Sequence, residues 1–162
     1  MLEWFARIEL SSLSVAVREV WWVFPSVLVI HSLSMAMMAG FGVVIAARAT
    51  GRVASLATTT LRRFEPLFLA GLLAAGFSGL VLLWGYPAKA LTNPLFYLKL
   101  IILALSTWLT LQLSANRWSP HMQARLAVLS LAGWIAMIFA GRFLAYTHSV
   151  LLASWLISPA GG

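Results

Sequence analysis

Residues 66–86 read PLFLAGLLAAGFSGLVLLWGY, a run without a single charged side chain. As a helix rising about 1.5 Å per residue it is about 30 Å long, the thickness of a bilayer's hydrocarbon core. Within it Gly71, Ala75 and Gly79 fall four residues apart. That spacing places them on one helix face, where the absence of bulk lets a neighbouring backbone approach closely. The stretch is therefore read as a membrane-spanning helix built to pack against another helix.

Working outward, three more runs have the same character. A first span is predicted over about 21–47: Trp21 and Trp22 mark an interface, Phe24-Pro25 opens the helix, and Arg48 stops it. Proline is tolerated in a first helical turn because the N–H it lacks would have had no partner there. A third span over about 94–116 opens at Asn93-Pro94, where asparagine suits the N-cap and proline the first helical position. A last span starts near Arg125 and is predicted to run to about 156, before Pro159 and the Gly161-Gly162 end. Residues 48–63, with Gly51, four arginines and Thr58-Thr59-Thr60, read as a loop, and Ser119-Pro120 as a break. Ahead of the spans, Trp4, Phe5, Ile8, Leu13 and Val17 alternate with Arg7, Glu9, Arg18 and Glu19 at helical spacing. Residues 4–19 are thus expected to form one short amphipathic helix on the membrane surface. The fold class is all-α: a four-helix transmembrane bundle with an N-terminal surface helix, one integral membrane domain over residues 1–162.

Composition agrees. The chain is 62 % hydrophobic and 9 % charged, with a mean hydropathy of +0.94, far more apolar than a soluble domain. The net charge of +7 is not read as a nucleic-acid footprint, because the basic residues sit at the ends of apolar runs. There is no cysteine, which excludes disulfides, thiolate nucleophiles, iron–sulfur clusters and c-type haem attachment on this chain. The charges among the first twenty residues argue against a cleavable signal peptide. Arginines gather in the first and third connections (Arg48, Arg52, Arg62, Arg63, Arg117, Arg125), whereas the second carries Lys89, with Lys99 just inside the third span. The positive-inside rule assigns the arginine-rich loops to the cytoplasm and both termini to the periplasm of a bacterial inner membrane.

Within this frame ionisable residues at membrane depth are costly and mark candidate sites. His31 lies about 25 Å from Arg48 along its span, and Arg142 the same distance from Arg125. His148 lies about 34 Å from Arg125 by that measure, yet close to the height of His31 when both are measured from Trp21 and Trp155. Two histidines at similar height on different helices meet the need of a b-type haem for two axial nitrogens. Gly141 and Ala145 beside His148 would leave room for the macrocycle. Arg142 and Tyr146 would meet a propionate or a quinone-like head group. The plainer reading is that His31 hydrogen-bonds a neighbouring helix and His148 reaches to the interface. Met35, Met37 and Met38 suit copper by ligand softness and core filling by shape. His121 reads as a solvated loop residue, and Trp108 and Trp134 as deep packing residues. No carboxylate follows Glu65 within any span, so the sequence lends no support to an acidic proton relay.

Phe24-Pro25 with His31 and Gly40, Asn93-Pro94-Leu95-Phe96 with Lys99, and Gly141-Arg142 with Ala145-Tyr146 resemble an uncharacterised family of small bacterial four-helix integral membrane proteins. The likeness covers about residues 20–146. It implies the four-helix fold, carries no activity, and draws attention to His31, Lys99 and Arg142. Members often carry an acid where this chain has Leu28, and His148 lies beyond the shared pattern. No catalytic residue is assigned. The leading expectation is a small inner-membrane subunit of a redox assembly that binds haem b through His31 and His148. It would pass electrons from a periplasmic donor such as a c-type cytochrome to the quinone pool or another membrane subunit. The alternative is a cofactor-free anchor or assembly subunit that docks other membrane subunits through its surface helix and small-residue faces. A transporter or metal-handling protein using Met35–Met38 comes third.

Overall fold

The computed structural model describes residues 2–53 and 58–147, and within these the chain is helical with no strand. Eight helices follow in order: α1 (Leu2–Glu9), α2 (Ser12–Glu19), α3 (Val23–Ala49), α4 (Thr58–Arg62), α5 (Glu65–Gly85), α6 (Pro87–Leu91), α7 (Pro94–Ser114) and α8 (Pro120–Tyr146). Four of them, α3, α5, α7 and α8, are long and apolar enough to cross a membrane. Together they form a helical bundle, and the chain is a multi-pass membrane protein whose outward faces call for a lipid bilayer. The caps follow local chemistry. Pro94 starts α7 and the Asn93 side chain accepts from the Leu95 N–H at 3.0 Å, satisfying a donor that the helix leaves unpaired.

Packing does not follow chain order. Helix α3 lies against α5 on one side and against α8 on the other, and α7 packs chiefly on α8. The small-residue face expected on α5 is indeed buried, and its partner is α3. Gly71 faces Met37, Met38 and the Ser34 carbonyl, Ala75 is buried, and Gly79 faces the His31 ring. The core is a cluster of Met38, Ala39, Phe68, Ala75, Trp134 and Met137. Met38 is fully buried there as part of the packing, and no group of three or more His, Cys, Asp or Glu side chains able to hold a metal ion occurs among the described residues. Towards the other end Ile45, Ala46, Leu61, Leu113 and Ala127 form a second cluster.

Several expectations need correction. The single surface helix is two helices, broken at Leu10-Ser11, where the Ser11 side chain caps α2. They fold back onto the bundle end. Phe5 and Ala6 of α1 pack on Ala88 of α6, while Val17 of α2 packs on Gly85 at the end of α5. Arg18 fixes this cap. One guanidinium nitrogen donates to the Gly85 carbonyl (3.1 Å) and to Ser14 Oγ (2.6 Å), and the other to the Glu9 carbonyl (2.8 Å). Two helix C-termini thus share one planar cation, where the helix dipoles favour positive charge. Arg18→Lys is expected to release the cap, since an ammonium lacks the fork that reaches both carbonyls. Limited proteolysis should then cut between α1 and α3 while the four spans stay protected.

The segment 48–63 also holds α4 where a continuous loop was expected, because Leu61 is buried in the second cluster and pins that turn. Helix α8 starts at Pro120 rather than near Arg125 and is described to Tyr146, while the end of the span expected near residue 156 lies outside the described residues. Thr147 is extended (φ −83°, ψ 115°), and its hydroxyl accepts from Asn93 Nδ2 at 2.7 Å, tying the chain to the start of α7 instead of continuing the helix. Of the two tryptophans read as deep, Trp134 is buried, but Trp108 is half exposed on the lipid side.

Candidate functional site

His31 sits on α3 one turn before Ser34, with its ring turned towards α5 and α7. Its Nδ1 lies 3.1 Å from the Ala75 carbonyl and 3.0 Å from Ser78 Oγ. A carbonyl only accepts, so Nδ1 carries the proton. Ser78 spends its own proton on the Ala74 carbonyl at 2.6 Å, which leaves its oxygen free to accept from the same Nδ1–H. This fixes the neutral ring as the Nδ1–H tautomer and leaves a lone pair on Nε2. Lys99 of α7 meets that lone pair, Nζ donating to Nε2 at 3.4 Å. Glycines leave the space. A side chain at Gly79 would press on His31 Cε1, and Gly141 of α8 runs beside the Lys99 ammonium.

All four spans therefore converge here: α3 brings the imidazole, α5 its anchor, α7 the cation and α8 the clearance. The spans hold no carboxylate apart from Glu65, the first residue of α5, at the opposite end of the bundle. Lys99 is thus a cation at membrane depth whose described polar neighbour is a neutral ring, an arrangement that ordinarily marks a working position.

The sequence candidates fare differently. His31 and Lys99 are brought together. Arg142 is not: Gly141 turns towards Lys99, and one residue further round the helix Arg142 is exposed. Its guanidinium stacks on the exposed Tyr146 ring at 5.5 Å, and this exposed face is where the amphipathic pair is tolerated. His148, the proposed second haem ligand, lies outside the described residues, as does the side chain of Ala145. His121 is exposed in the first turn of α8. Sequence reasoning missed Ser78, whose one signal was a lone hydroxyl one residue from the Gly71–Gly79 stripe.

The described residues fit a haem ligand in part. A ligating histidine typically donates its other ring N–H to a backbone carbonyl, as His31 does to Ala75. An iron about 2 Å from Nε2 and the Lys99 ammonium cannot occupy the same space, so such a site requires Lys99 to turn away. Compared with known protein families, curated proteins and solved structures, the chain matches none.

Proposed function

We propose that this chain is a small subunit of a redox assembly in the bacterial inner membrane, with His31 and Lys99 as its working pair. The supporting observation is an imidazole inside a span, anchored through Nδ1 by a backbone carbonyl and presenting Nε2 to a cation that has no carboxylate partner in its own or the following span. In this reading His31 ligates a b-type haem, with His148 as the second ligand. Lys99 moves from Nε2 to a propionate, where its charge is better used than against a neutral ring. The arginine-rich loops face the cytoplasm, and the site lies towards the periplasmic side. A c-type cytochrome would deliver electrons there, and the quinone pool or another membrane subunit would take them.

The test is a reduced-minus-oxidised visible spectrum of the purified protein. A Soret shift with an α band is expected. A colourless protein overturns the haem reading.

A second reading, a cofactor-free assembly subunit, is favoured by Lys99 already satisfying Nε2. The features first suggested for docking partners, however, are used internally. The Gly71–Ala75–Gly79 face packs on α3, and the N-terminal helices pack on α5 and α6. Partner docking would then fall to other faces of the bundle.

A further inference from the structure

One face of α7 carries Lys99 near its start and a run of hydroxyls from Ser106 to Ser114. Lys99, Ser106 and Thr110 repeat at seven and then four residues, and Thr107, Thr110 and Ser114 at three and then four, spacings that keep side chains on one side of a helix. Ser106, Thr110 and Ser114 are all buried. Each end of the file is titratable. Ser114 donates to the Glu65 carboxylate at one end, and Lys99 meets His31 at the other. From Lys99 to Ser114 the rise is about 22 Å, most of the depth of a hydrocarbon core about 30 Å thick.

In the middle, Thr110 Oγ1 accepts from the Trp134 indole N–H at 3.0 Å and lies 3.2 Å from Ser130 Oγ. Beside it, Thr107 Oγ1 is the one buried side-chain polar atom with no partner among the described residues. Hydroxyls that serve only as glue between helices find a partner across the interface or return to their own helix. An orphaned one is costly and calls for water. Glue also gives no reason for a carboxylate at one end of the file and an imidazole–ammonium pair at the other.

We propose that the inward face of α7 is a proton path linking Glu65 to the His31–Lys99 pair. A proton entering at Glu65 passes along hydroxyls and intervening water, each oxygen accepting one proton as it releases its own. It is accepted at His31 Nε2 when the Lys99 N–H turns aside and is released from there to the far side, so one proton leaves for each that enters and nothing is oxidised. The file has one dry stretch. Between Lys99 and Ser106, Ile102 and Leu103 pack against the core cluster containing Met137, and this is where the path is gated. Leu103 lies one turn from Lys99 and one turn from Thr107, so a hydroxyl at that position would close the gap.

The full chain is reconstituted in vesicles holding a pH-sensitive dye, and a potassium gradient with valinomycin drives protons across. The expected result is a protein-dependent flux that rises in Leu103→Ser and falls to the empty-vesicle rate in Thr110→Val and Glu65→Gln. A flux no greater than that of empty vesicles in both the wild type and Leu103→Ser overturns the proposal. So does an unchanged flux in Glu65→Gln, which perturbs the fold least. The path does not depend on haem: a colourless protein that conducts would remove the redox reading and leave this one standing.

Discussion

Trp134→Ala is expected to be among the most damaging single substitutions in the bundle, lowering its stability by about 3–5 kcal/mol. The indole is almost wholly buried where α3, α5, α7 and α8 meet. Its Nε1–H donates to Thr110, its edge meets the Phe68 ring at a centroid distance of 6.1 Å, and its face lies on the Gly42 backbone. In a bilayer the loss comes from vanished contacts and an unpaired Thr110 rather than from exposure to water, since lipid is as apolar as the core. Trp108→Ala is the internal control. That ring is half exposed, so its removal deletes far fewer interior contacts. Reversible unfolding of both variants in mixed detergent micelles gives the comparison. A Trp134→Ala protein as stable as Trp108→Ala would show that the core is placed wrongly.

A smaller change at the same contact is expected to be nearly as informative. Gly42→Ala places a methyl group inside the volume of the Trp134 indole. The ring is held by its hydrogen bond and by Phe68, so the helices must separate, at a cost of about 1–3 kcal/mol. Gly71→Ala makes the useful contrast. Its new methyl meets Met37 Cε, the far end of a flexible chain that can turn aside, and presses less closely on Met38 Cγ. The order of stability expected is wild type, then Gly71→Ala, then Gly42→Ala. Thermal unfolding of the three proteins in one detergent checks it, and a reversed order would contradict a rigid Trp134.

These two contacts also show what the sequence discloses and what it withholds. Span existence was readable because an uncharged run of bilayer length has few other uses, and the Gly71–Ala75–Gly79 stripe announced a close helix contact. Azimuth was not readable. Lipid and protein interior are equally apolar, so α8 carries no amphipathic signal to say that Trp134 turns inward, and on α7 only the spacing of Ser106, Thr110 and Ser114 hints at the inner side. The same blindness hid the site. Depth along the helix placed His31 in the outer half of the bundle, but the choice of Lys99 as its partner depends on α3 lying beside α8 and α7, which loop lengths leave open. Arg142 shares the height of His31, but its position around α8 carries it to the exposed side, and height alone does not disclose that. The break at Leu10-Ser11 was the exception, since Ser11 is an ordinary N-cap residue and could have been read as the start of a second helix.

His31 remains the residue on which the functional reading turns. It is the histidine that the described spans turn into the bundle, its tautomer is set by the α5 backbone, and its free nitrogen is aimed at the interior cation. The haem content of purified His31→Ala, compared with that of His121→Ala, tests that role most directly, because His121 is exposed and outside the site. The expected result is a reduced α band in His121→Ala preparations and none in His31→Ala. A full haem complement in His31→Ala would contradict the assignment of this site.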